Sequence, residues 1–138
     1  MQPRWEHFHH EADVGVRGIG ATKDDAFAQA ALALTAVVTE PGGVLAREAV
    51  DVRCEAPDDE LLLAEWLNAV IYEMSTRGMV FGRFDVAIDD GRLRARAFGE
   101  PLDAGRHRPA VEPKGATYTA LRVVRDGDAW IAQTVVDV

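Results

Sequence analysis

A chain of 138 residues with 48% hydrophobic and 28% charged residues has the size and composition of one globular domain, and residues 1–138 are read as a single unit. The formal net charge of −8 opposes phosphate backbones, which argues against tight RNA binding by the protein alone and favours a cation or a protein partner. The single cysteine precludes an internal disulfide; Met1-Gln2-Pro3-Arg4-Trp5 lacks a signal peptide's apolar centre and no apolar run is long enough to span a membrane, so a cytoplasmic protein with no membrane association is expected.

Trp5 to His9 alternates large apolar and polar residues, which predicts a first strand. The next stretch, His9-His10-Glu11-Ala12-Asp13-Val14-Gly15-Val16-Arg17-Gly18-Ile19-Gly20, predicts a second strand with Val14, Val16 and Ile19 buried. Its glycines mark a bend or a close approach of another backbone. Asp13 then stands at the lip of that strand. Thr22-Lys23-Asp24-Asp25 has the form of a helix start, and Ala26, Phe27, Ala30, Leu34 and Val37 continue it until Pro41-Gly42-Gly43. So alanine-rich a helix should pack closely on a sheet.

A strand centred on Val50, Val52 and Cys54 follows, with Cys54 read as packed and not catalytic. Asp58 caps a second helix whose stripe is Leu63, Leu67, Val70, Ile71 and Met74, and Gly78 stops it. Glu65 and Asn68 within it are read as packing residues first. Phe84, Val86 and Ile88 alternate with polar residues, and Asp89-Asp90-Gly91 turns the chain back into Arg92 to Phe98 as a hairpin. Arg92, Arg94 and Arg96 share its polar face, read first as a solvated stripe paired with acids and second as a docking face for an anion. Gly99 to Lys114, broken by Pro101, Pro109 and Pro113, predicts a loop that carries Glu100, Asp103, Arg106, His107 and Lys114. Tyr118 to Arg125 and Ala129 to Val136 predict the last two strands. The element order implies an α+β fold, a two-layer sandwich of two helices on antiparallel or mixed sheet.

Four blocks recur together in one known family: His9 to Gly15, Gly99-Glu100-Pro101 with Asp103, Arg106 and His107, Lys114-Gly115-Ala116-Thr117-Tyr118, and Asp137-Val138. In their order and spread over the whole chain they resemble the archease family, with Glu11 standing where members usually have Thr. The resemblance implies one strand–helix–strand–strand unit inserted in another, and it implies that Asp13 and Asp137 are neighbours. Two carboxylates within about 4–6 Å oppose each other's ionisation and so take up a proton or a cation. With the Val138 carboxylate they form an all-oxygen set suited to calcium, magnesium or manganese. The rival set His7, His9, His10 and His107 lacks a zinc-type pattern. Lys114, with Arg106 and His107, is expected to contact a partner or nucleotide.

No nucleophile constellation is present, since Ser75 is the only serine, and neither a P-loop nor a dinucleotide fingerprint occurs. The expected function is therefore not enzymatic. The archease resemblance implies an accessory protein that activates an RtcB-type RNA ligase in tRNA splicing and RNA repair by promoting its guanylylation. The alternatives are a small metal-dependent phosphoester or nucleotide hydrolase with His107 as base, and a chaperone-like assembly module.

Overall fold

The computed structural model describes residues 1–138. Strands β1 (Arg4–His10) and β2 (Asp13–Gly20) lead into helix α1 (Lys23–Val38) and a 3-10 turn at Pro41–Gly43. Then come β3 (Glu48–Glu55), α2 (Asp59–Arg77), β4 (Met79–Asp89) and β5 (Arg92–Pro101), followed by the one-turn helix α3 (Ala104–His107), β6 (Gly115–Ala116), β7 (Arg122–Asp126) and β8 (Ala129–Asp137).

The strands form two sheets, and every pairing is antiparallel. One has the order β1-β2-β8, with β6 and β7 sharing the far side of β8; the other is β3-β5-β4. The expected α+β architecture of two long helices on antiparallel sheet is present, with the strands divided between two sheets. The unit β3-α2-β4-β5 is inserted, between α1 and β7, into an outer unit β2-α1-β7-β8, which is the nesting that the resemblance implied.

Local chemistry explains the helix limits. The Thr22 side chain accepts a hydrogen bond from the Asp25 N–H, and that of Asp58 accepts from the Leu61 N–H, so each helix starts on a filled cap. Gly78 closes α2 in the left-handed region at φ 63°. Apart from its starts, α1 is apolar almost all round, and a helix with no polar face must be covered on every side. Phe27, Ala30, Ala31, Ala33 and Leu34 are wholly buried because α1 lies between the two sheets, against β2 on one flank and β4 on the other. Its one deeply buried hydroxyl, Thr35 Oγ1, donates to the Phe81 carbonyl at 2.7 Å.

The two helices are tied by Trp66, which is fully buried, donates from Nε1 to the Phe27 carbonyl at 3.0 Å, and meets the Phe84 ring edge-on at 5.7 Å. One core cluster takes residues from both sheets and both long helices. No helix is long and apolar enough to cross a membrane.

Two expectations are corrected along the chain. The stretch from Gly99 to Lys114 is not all loop: β5 runs to Pro101 and α3 forms at Ala104–His107, because Asp103 caps it by accepting from the N–H groups of Gly105 and Arg106. The strand predicted from Tyr118 begins only at Arg122, preceded by the two-residue β6 and a turn. The arginine stripe faces outward as read. Arg96 pairs with Asp51 at 3.2 Å and Arg92 with Glu55 at 3.9 Å, while Arg94 stands across the strands from Arg53.

The glycines of β2 serve close approach. A Cβ at Gly18 would lie 2.0 Å from the Ala26 carbonyl oxygen and 2.3 Å from the Ala30 nitrogen, so the backbone of α1 rests directly on the strand. Gly18→Ala is therefore expected to destabilise the protein by about 3 kcal/mol or more, since backbone and not a movable side chain is in the way. Urea unfolding of the two proteins checks this; a loss below about 0.5 kcal/mol contradicts the packing.

Candidate functional site

Pairing of β2 with β8 brings the two ends of the chain side by side. The register Val14↔Val136 through Gly20↔Trp130, carried one step further, sets Asp13 opposite Asp137. Side chains alternate along a strand, so both lie on the face away from α1, the face of Arg17 and Gln133. The Val138 N–H donates to Asp13 Oδ1 at 3.4 Å, which ties the end of β8 to the start of β2. Asp13 is half-buried and Asp137 is exposed.

A third strand reaches this corner. Lys114 donates its backbone N–H to the Asp137 carbonyl at 2.8 Å, and Gly115 pairs with Asp137 in β6. Asn68 on α2 holds β6 from the other side. Its Oδ1 accepts from the Ala116 N–H at 2.9 Å and its Nδ2 donates to the Ala116 carbonyl at 3.4 Å. Asn68, which the sequence suggests as a packing residue first and a site residue second, anchors the strand that follows Lys114. Its place in Glu65-Trp66-Leu67-Asn68, one residue past the deeply buried Trp66-Leu67 pair, was the available signal.

Arg106 and His107, expected beside Lys114 at a partner contact, engage a buried acid in the structure. Both converge on Glu100, which is 2% exposed. One Glu100 oxygen receives the guanidinium of Arg106 and, at 3.5 Å, that of Arg47. The other accepts from the Leu45 N–H at 2.7 Å and meets His107 Nε2 at 3.0 Å. His107 Nδ1 accepts from the Asp103 N–H at 2.9 Å, so the proton sits on Nε2 and is donated to Glu100. With its side chain buried and both nitrogens engaged, His107 is closed to a substrate and cannot serve as the base of a hydrolase. The network instead fastens the segment between β5 and Lys114. It is reinforced by Thr39 Oγ1, which donates to the His107 carbonyl at 2.6 Å, and by the Ala110 N–H, which donates to the Val38 carbonyl at 2.9 Å.

The remaining candidates are dispersed. His7 donates from Nε2 to the Ala33 carbonyl at 2.7 Å, His9 is exposed, and His10 pairs across the hairpin with Asp13, its Nδ1 buried without a partner. Nowhere do three side chains of His, Cys, Asp or Glu gather in a metal-binding group, so no zinc-type cage exists. Glu11, at φ 52°, occupies the left-handed region in the two-residue turn between β1 and β2 and is exposed. The Cys54 thiol is pushed up to about 11 by burial and by the nearby Glu65 charge, which fits its reading as a packed and unreactive residue.

The model of the Archease protein family (MTH1598/TM1083) matches residues 5–138. The chain belongs to the archease family. Among its relatives, "Protein archease" of Pyrococcus furiosus is 39% identical over 140 residues, covering 98% of this chain and 99% of that protein. The same-named protein of Thermococcus gammatolerans is 40% identical over 139 residues, covering 97% and 98%. The solution structure of protein 1598 of Methanobacterium thermoautotrophicum superposes with a TM-score of 0.85 at 28% identity, over 97% of this chain and 98% of that one. The crystal structure of a Thermotoga maritima archease, described as a possible chaperone, superposes with a TM-score of 0.61 at 20% identity over 95% and 94% of the two chains, and so bears on the fold alone.

The Glu100 network has a pH signature. The Arg106 guanidinium first, then the Leu45 N–H and His107, hold the Glu100 carboxyl down at about 2 against an ordinary 4.5. A depressed carboxyl contributes stability that is full above the unfolded-state value and is lost as pH falls toward the folded-state value. The thermal midpoint of the wild type should thus fall between pH 4.5 and 2. Glu100→Gln should be less stable at neutral pH and show a flatter decline in that window; parallel declines for the two proteins contradict the assignment.

Proposed function

We propose that this archease-family protein is an accessory factor that activates an RtcB-type RNA ligase by promoting its guanylylation, and that it does so through a divalent-ion corner built on Asp13 and Asp137. The observation that supports this most is the convergence of β2, β8 and β6. It brings the residues Asp13 and Asp137 opposite each other, with Lys114 immediately before the adjoining strand. Facing carboxylates need a counter-charge, and a hard cation with oxygen ligands supplies one. The donors fit such an ion: Asp13 and Asp137 offer oxygen only, and no thiolate is nearby. When bound, the ion would supply a positive centre for phosphate or carboxylate oxygens, as in nucleotide-using enzymes.

In this reading the chain's own residues position and hold. The Val138 N–H fixes the Asp13 carboxylate by hydrogen bonding. The Asn68 clamp on Ala116 and the Glu100 network fix both flanks of Lys114, whose ammonium reaches an anion on the ligase or its nucleotide. With a net charge of −8, the protein is steered toward a basic enzyme and does not bind RNA tightly by itself.

The test has two arms. Calorimetry with calcium, magnesium and manganese is expected to give binding in the wild type that falls at least about tenfold in Asp13→Ala, as a lost charged ligand costs more than 1.4 kcal/mol. Assays of ligase guanylylation with GTP should show stimulation by the wild type and little by Asp13→Ala or Lys114→Ala, with thermal midpoints within a few degrees of one another. Equal metal binding by wild type and Asp13→Ala contradicts the ion site. Absence of any stimulation by the wild type contradicts the accessory role.

A further inference from the structure

Tyr118 is the most exposed large apolar side chain of the protein, with 68% of its surface open, yet the backbone that carries it is tightly held. The Thr117 N–H donates to the Val135 carbonyl at 2.9 Å, while the Val135 N–H donates to the Thr119 carbonyl at 3.1 Å. Both neighbours of Tyr118 thus address one residue of β8, and Tyr118 is squeezed out of the ladder between them.

Side chains reinforce the mounting. Thr134, wholly buried, donates its hydroxyl toward the Thr117 carbonyl at 2.6 Å and the Thr119 carbonyl at 3.2 Å. Thr117 Oγ1 donates to the Val135 carbonyl at 2.8 Å, and Gln133 Nε2 donates to the Ala120 carbonyl at 3.2 Å. Ala120 is kept at φ 54°, a left-handed conformation that an alanine adopts only when its surroundings impose it. The ring that this turn presents lies in solvent and adds nothing to the core.

We propose that Tyr118 is an anchor for a protein partner: its ring enters a pocket on a surface rich in Lys and Arg, beside the Asp13–Asp137 corner. A rigidly mounted aromatic ring loses little freedom on docking and buries much area, and such residues carry a large share of binding energy at interfaces. The ring projects two residues along β8 from Asp137 and four residues along the chain from Lys114, so an enzyme that engages the corner meets it. Charge selects a protein over a stacked nucleobase. A nucleic acid reaching Tyr118 would bring its phosphates toward Asp13 and Asp137 on a chain of net charge −8, whereas a basic protein surface is attracted to both.

The inference rests on the ligase reading, and the test separates the two. Binding of the RtcB-type ligase from the same organism is measured for wild type, Tyr118→Ala and Tyr118→Phe, at low and high salt, beside calcium calorimetry and thermal melts. Tyr118→Ala is expected to weaken ligase binding by about 30-fold or more, at unchanged calcium affinity and thermal midpoint, because the ring touches neither ion nor core. Tyr118→Phe should retain most of the affinity, and the wild-type on-rate should fall with salt. Equal binding by Tyr118→Ala overturns the anchor while leaving the ligase reading intact. Loss of binding to a fluorescent RNA oligonucleotide, with ligase binding preserved, overturns it in favour of base stacking. Absence of wild-type binding to the ligase overturns both.

Discussion

The pairing of β2 with β8 is the constraint on which the rest of the molecule depends. It joins strands from opposite ends of the sequence, so its loop-closure cost falls due before most of the core can form. What offsets that cost is α1, which covers the inner face of both strands. The glycines of β2 let its backbone sit on the sheet with no side chain between. The second sheet then closes over the opposite flank of α1, which explains a helix with apolar residues on every side. The corner holding Asp13, Asp137 and Lys114 is a by-product of that pairing. It forms where the two terminal strands run out together and β6 joins them.

Glu100 is the second organising group, and it works by a different principle. A buried carboxylate is costly unless its oxygens are saturated, and here two guanidiniums, a backbone N–H and an imidazole saturate them. The partners come from the segment after the 3-10 turn and from the segment after β5. One charge thus fastens the stretch after the 3-10 turn to the one-turn helix α3. Pro109 and Pro113 restrict the chain further before it reaches Lys114. The polar residues of this stretch, which invite a catalytic reading, are mostly spent on making the backbone definite.

The outer face of the β3-β5-β4 sheet carries a mixed pattern. Arg92 and Arg96 are paired across strands with acids, whereas Arg94 and Arg53 oppose each other with solvent above them. Surface pairs of this kind contribute little to stability, and their chief effect is to keep a broad sheet face soluble.

Much was legible in the residues alone. Thr22, Asp58 and Gly78 marked helix ends because capping depends on one side chain and the few amides next to it. The alternation in Phe84 to Phe98 marked a hairpin because a strand's faces repeat every second residue. Such signals are local, and so they survive in a linear string. By resemblance, the motif blocks also implied that Asp13 and Asp137 are neighbours. Tertiary structure decided what depends on partners far along the chain. That α1 is covered by two sheets, that Asn68 grips β6 from 48 residues away, that His107 turns its ring to Glu100, and that Tyr118 is expelled from its strand are set by how separate elements pack and not by the local residue pattern. A histidine or an asparagine has the same composition whether it faces solvent or locks a loop; only the geometry of its neighbours gives it one task.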